Sequence, residues 1–292
     1  MKIKQIFKGL LIFLSLLLLY NIFYIIGALA VSSLIPNIQS EPGILSNNLG
    51  LLIIGIVNTL LIISLIKCSK LSGLKLIIGL SFSYYGVSTF LTQIETWYFL
   101  SKITVTKELL FRLFIMGLPI SFIFIPLAIW VLGKGKIIEP YIYTLSFKQW
   151  FKKLGIISIV YVALYWISGY FIAWQNPDLR FFYGSSVDII PFWEHTISTI
   201  NTDPWLLPFQ VLRGLLWAFF SIIIIQNSKT NLWLTMSLMA AFLTVPQLLG
   251  LLLENPLMPN ASVRLSHFIE GIVSNVAFAI FLSWQLYPKN KK

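Results

Sequence analysis

Residues 45–66 read LSNNLGLLIIGIVNTLLIISLI, twenty-two residues without a Lys, Arg, Asp or Glu. A hydrocarbon layer about 30 Å thick takes roughly 20 apolar residues per helix, so this run is long enough to cross a bilayer and has no soluble counterpart of that composition. Seven more runs of this kind occupy about 9–34, 76–100, 109–132, 154–174, 206–226, 231–253 and 263–286. The whole chain agrees with them: 292 residues, 58% hydrophobic, 11% charged and a mean hydropathy of +0.85. That composition lies outside the soluble range, and no polar stretch between the runs is long enough to bury a core of its own. The expected fold is therefore all-α, a polytopic transmembrane bundle of about eight spans forming one integral membrane domain over 1–292.

The formal charge of +11 could suggest a nucleic-acid partner, but the positions of the charges argue for topology instead. With the N-terminus inside, the cytoplasmic side collects Lys2, Lys4, Lys8, Lys67, Lys70, Lys75, Lys134, Lys136, Lys148, Lys152, Lys153, Lys229, Lys289, Lys291 and Lys292, fifteen of the twenty-one basic residues. Of the acids only Glu139 falls there. Both termini are expected in the cytoplasm, in the plasma (inner) membrane of a bacterial-type cell, with anionic inner-leaflet lipids as partners of the basic side and no nucleic acid. The basic, amphipathic stretch Phe147–Lys153 reads as an anchor on that surface before the fifth run. Ala28-Leu29-Ala30 resembles a signal-peptidase site, yet the apolar run before it is too long for a typical signal segment and is read as a retained span.

An internal echo points to a duplication. Lys4-Gln5-Ile6-Phe7-Lys8 returns as Lys148-Gln149-Trp150-Phe151-Lys152, and Phe90-Leu91-Thr92 precedes Arg112-Leu113 by the interval that separates Phe242-Leu243-Thr244 from Arg264-Leu265. Two four-span halves, 1–143 and 144–292, would then share one orientation. Coincidence in a Leu- and Ile-rich chain competes with that reading.

Ionisable groups inside a span are expensive and face a bundle interior or a wet cavity, so they mark the candidate site. Glu95, Arg112, Arg213, His267 and Glu270 all fall within roughly 5 to 12 Å of the outer interface at 1.5 Å per residue. They could meet in one outward-opening polar pocket or form salt bridges that only fix packing. Arg112, closest to the interface, is able to snorkel. On the sixth run Gln210, Arg213 and Trp217 share a face, so the guanidinium could hold an anionic group beside an aromatic wall, or pair with Glu95 or Glu270. On the eighth, His267 and Glu270 are three apart on one face that continues to Ser274, with Asn275 beside it. With Glu95 as third ligand they could hold a divalent metal such as zinc and leave a position for water, with Glu95 and Glu270 as catalytic groups. A hydroxyl stripe, Ser81, Tyr84, Tyr85, Ser88, Thr92 and Glu95, runs along the third span; Ser158, Tyr161, Tyr165 and Ser168 repeat it on the fifth. Such stripes line permeation paths and also mediate ordinary helix packing.

Cys68 stands alone, which removes disulfides and Cys-based metal cages. Gly133-Lys134-Gly135-Lys136 lacks the spacing of a phosphate-binding loop, and no nucleophile elbow or dinucleotide fingerprint occurs. Asn260-Ala261-Ser262 fits a glycosylation acceptor only in a eukaryotic secretory setting. The segment from Gln175 to Pro208, rich in Phe and Trp, reads as a loop in the head-group layer that could cap the bundle. These features leave three functions, in order: binding or transport of a small polar or amphipathic ligand, an anionic one included; a metal-assisted intramembrane hydrolase or lipid-modifying enzyme; and a scaffold or accessory subunit.

Overall fold

The computed structural model describes residues 2–102, 105–135 and 146–288; Lys136, Glu139, Lys289, Lys291 and Lys292, used above for orientation, lie outside them. Among the described residues every regular element is helical. Eight helices are long and apolar enough to cross a membrane, which makes the chain a multi-pass integral membrane protein. They are span one (Ile3–Leu34), two (Asn47–Cys68), three (Gly73–Tyr98), four (Lys107–Val131), five (Phe147–Gln175), six (Leu206–Gln226), seven (Leu232–Leu252) and eight (Ala261–Leu286). The expected anchor Phe147–Lys153 is not separate from span five. One helix runs unbroken from Phe147 to Phe171, because Ser146 and Gln149 form a capping box at its start.

Polar caps set the other boundaries. Thr106 Oγ1 accepts from Leu109 N, Asn231 Oδ1 from Leu234 N, and Asn260 Oδ1 from Ser262 N, so each apolar run begins where a side chain satisfies an orphan amide. Gly133, at φ +72°, ends span four in a conformation that glycine adopts without penalty.

Three spans are irregular in their interiors. Span three contains a π-helical turn over Gly86–Phe90, span four another over Ile120–Phe124, and span seven carries Pro246 before tightening into a 3₁₀ turn at Leu249–Leu252. Such breaks free backbone groups, which neighbours must satisfy in lipid.

The packing has a regular pattern. Span one packs on two and four, and span five on six and eight; three packs on four, and seven on eight. Across the middle, two meets seven and three meets six, while three and seven touch each other. Close approaches depend on glycine. A Cβ at Gly27 would sit 2.3 Å from the carbonyl oxygen of Met116 in span four, and backbone cannot step aside as a side chain tip can. Gly27→Ala is expected to destabilise the protein by about 1–3 kcal/mol in thermal unfolding, the usual cost of overpacking. Gly9→Ala, with nothing within 4 Å, is expected to leave the midpoint unchanged or slightly raised.

At one end of the bundle the short loops knit together. Gly73 N donates to Lys134 O, Lys70 N to Asn227 O, Lys229 N to Cys68 O and Tyr287 Oη to Thr230 O. Above this lysine-bearing end lies the main apolar core, with Leu16, Leu61, Leu80, Phe124, Ile157, Phe242 and Leu282 fully or nearly fully buried. Asn58 is one of its buried polar residues, accepting from Tyr84 Oη at 2.9 Å.

Candidate functional site

Beyond that core the spans diverge around a cavity of about 1090 Å³ that opens toward the opposite end, among the segments 30–46, 173–206 and 249–260. Tyr20 and Tyr84 line its floor with Trp217 and Phe278. Its walls carry Ser88, Thr92, Glu95, Tyr161, Tyr165, Arg213, Gln247, His267, Glu270, Ser274 and Asn275. The helical spacing that puts Tyr84, Ser88, Thr92 and Glu95 on one face of span three thus becomes a polar wall. Ser81, one turn further down, is buried below the cavity without a hydrogen-bond partner, and Tyr85 turns aside to donate to Phe114 O in span four. The stripe is a wall for its upper half and ordinary packing for the rest.

Of the two candidate partners for Arg213 the structure selects Glu95. The pair is bidentate, Nη1 to Oε1 at 2.6 Å and Nη2 to Oε2 at 2.7 Å, and Nη1 also donates to Gln210 Oε1 at 3.1 Å. Arg213 is 5% exposed and its guanidinium lies 5.8 Å from the Tyr161 ring and 5.9 Å from that of Phe209. Gln210, fully buried, supports Arg213 from behind and does not line the cavity. The planar fork is therefore already filled by a carboxylate.

Glu270 has no such partner: among the described residues it forms no salt bridge, and its Oε1 accepts from Ser168 Oγ at 3.1 Å. The same hydroxyl lies 2.6 Å from Leu164 O, so a single proton serves two acceptors. Asn275 Nδ2 is held by Leu243 O at 2.9 Å, which orients the amide beside the floor.

His267 is engaged from the roof. Tyr183 Oη lies 3.0 Å from its Nε2, with the rings edge to face. Burial pushes the Tyr183 phenol above its ordinary range, so its hydroxyl stays neutral. Among the described residues no three His, Cys, Asp or Glu side chains gather as a metal-ligand set: Glu95 has both oxygens on Arg213, and His267 is occupied by Tyr183.

Arg112 does not join the cluster. It pairs with Glu108 at 2.8 Å one turn away and reaches Ser33 Oγ at 3.2 Å, at the end of span one, outside the cavity lining. Proximity to the interface let its long side chain find partners there.

The segment after span five does cap the bundle. Short helices Pro177–Phe182 and Phe192–Thr202 lie across the opening, with Tyr183, His195 and Asp203 on the lining side and Trp193 exposed. Arg180, 5% exposed, holds this roof by donating to the carbonyls of Trp174 and Val187. Burial lowers the His195 imidazole below its ordinary range, leaving it neutral against the Trp174 ring at 5.0 Å. Tyr98, stacked on Phe209 at 4.3 Å, donates to Asp203 at 2.6 Å and ties roof to rim. Sequence reasoning passed over Tyr98, because a tyrosine at the end of a span looks like an interfacial anchor until its partner is known.

Comparisons of this chain with protein-family models, with curated proteins and with solved structures find no match.

Proposed function

We propose that this chain is a plasma-membrane protein that takes a small amphipathic ligand into the cavity from the outer side, with the lysine-bearing end and both termini in the cytoplasm. The observation that carries the reading is the cavity itself. Its volume of about 1090 Å³ is that of a ligand site, and its mixed aromatic and polar wall suits a molecule with an apolar body and a polar head. Lys67, Lys70, Lys75, Lys134 and Lys229 cluster at the closed end, which supports a cytoplasmic assignment for it.

Passage across the membrane, rather than binding alone, is supported by the packing pattern. Contacts of spans one to four recur among five to eight, with two on seven mirrored by three on six. This recurrence supports two parallel four-span halves related by an axis along the membrane normal. The broken interiors of spans three, four and seven lie beside that cavity and supply the places where helices can bend. The metal-assisted hydrolase has less support, since two of its three ligands are engaged elsewhere.

Gly169 lines the cavity and a Cβ there meets nothing within 4 Å. Gly169→Trp is therefore expected to fill the site without disturbing the fold. With wild-type protein in nanodiscs, saturable binding of a dansyl-labelled amphiphile is expected; in Gly169→Trp it should weaken by at least about tenfold, roughly 1.4 kcal/mol, at an unchanged unfolding midpoint. Equal binding by both proteins would sink the reading.

A further inference from the structure

The charge of the cavity names a ligand class. Its lining carries four carboxylates, Glu95, Asp203, Glu254 and Glu270, and one guanidinium, Arg213. With both histidines neutral the formal balance is one minus four, or −3, inside a chain whose total is +11. Three of the four acids already have close donors: Glu95 has Arg213, Asp203 has Tyr98 at 2.6 Å, and Glu254 Oε1 accepts from Ser40 Oγ at 2.8 Å. Glu270 is left with hydroxyl contacts, well inside the opening, and among the described residues the one cation on the wall, Arg213, is committed to another carboxylate. Among the described residues an anionic ligand would meet carboxyl groups and no free positive group.

We infer that the ligand is an organic cation, an ammonium or amine head on an apolar body, with Glu270 as its counter-ion; the inference rests on the cavity being a ligand site. An ammonium there would give Glu270 a charge-assisted hydrogen bond that Ser168 alone does not supply. The rings of Tyr161, Tyr165 and Tyr183 stand around the same part of the cavity and present π faces or edges to such a head. Asp203 and Glu254 at the rim raise the local concentration of cations before entry. Deeper, the indole N–H of Trp217 is buried without a hydrogen-bond partner, so an ether, hydroxyl or carbonyl oxygen on the ligand body would find a donor.

The test uses three dansyl probes with the same alkyl chain, ending in an ammonium, a hydroxyl and a carboxylate. Each is titrated into wild type, Glu270→Gln and Gly169→Trp in zwitterionic nanodiscs, with empty nanodiscs as blank. The ammonium probe is expected to bind wild type at least about tenfold more tightly than the carboxylate probe, and to lose about tenfold in Glu270→Gln while the hydroxyl probe is unchanged. A carboxylate probe that binds as well as the ammonium, or an ammonium probe indifferent to Glu270→Gln, overturns the cation assignment while leaving the cavity reading in place. Should Glu270→Gln fail to fold, the order of the three head groups on wild type decides alone. Saturable binding by none of the three would overturn both.

Discussion

Glu95→Leu is expected to destabilise the protein by about 3–5 kcal/mol, and Arg213→Met by less, about 2–3 kcal/mol, although each removes the same ion pair. The asymmetry follows from where the two groups sit. The Arg213 side chain is 6% exposed, walled by Tyr161 and Phe209, while that of Glu95 is 33% exposed to the cavity. Removing Glu95 leaves a guanidinium that cannot lose its proton, buried with one neutral acceptor, Gln210 Oε1. Removing Arg213 leaves a carboxylate that can take up a proton or be wetted from the cavity. Glu95→Leu/Arg213→Met should recover most of the loss, since a pair replaced by apolar groups leaves no orphan charge. The measurement is a double-mutant cycle in thermal unfolding. An additive cycle, or Arg213→Met costing more than Glu95→Leu, would show that the pair is weaker or wetter than its geometry implies.

The same pair shows how far the sequence could be read. Run length and charge placement depend only on local composition, so the eight spans were legible before any coordinates, six of them with bounds close to those observed, while spans one and five start about two turns earlier than their apolar runs. That Glu95, Arg213, His267 and Glu270 share one depth was legible too, because depth is simply 1.5 Å per residue. Which carboxylate pairs with Arg213 was not. That choice depends on the azimuth of each helix and on which spans are neighbours, and neither is written in a single run of residues. Arg112 makes the point from the other side: at nearly the same depth it sits beside span one, where Ser33 and Glu108 absorb it. The roof was hidden for a related reason, since Tyr183 and Asp203 acquire meaning only through His267 and Tyr98, far away along the chain. The option of an anionic ligand rested on Arg213 being free to hold it, with pairing to Glu95 or Glu270 as the alternative, and it loses that support once the guanidinium has a partner.

Arg264 provides a second test of position over residue type, because the sequence echo aligns it with Arg112. It is 1% exposed and donates to four carbonyls, Met258 and Pro259 at 2.8 Å, Glu41 at 2.7 Å and Pro42 at 3.0 Å. Those carbonyls belong to two adjoining segments, of which the one around Glu254–Met258 lines the cavity, further joined by Glu41 N to Pro259 O and by Ala261 N to Glu41 Oε2. Arg264→Met keeps most of the volume but leaves three of the four acceptors without a donor, Pro259 O keeping Glu41 N, at about 1–3 kcal/mol for each that water cannot reach. We expect a loss of about 3 kcal/mol or more, together with faster hydrogen exchange across 38–45 and 254–260 before the spans themselves exchange. Arg112→Met removes a half-exposed pair and is expected to cost no more than about 1 kcal/mol. If the two substitutions proved equal, the carbonyl cage around Arg264 would not be what closes the rim; if exchange rose across the spans as quickly as across the two segments, Arg264 would be a core element rather than a clasp on the cavity mouth.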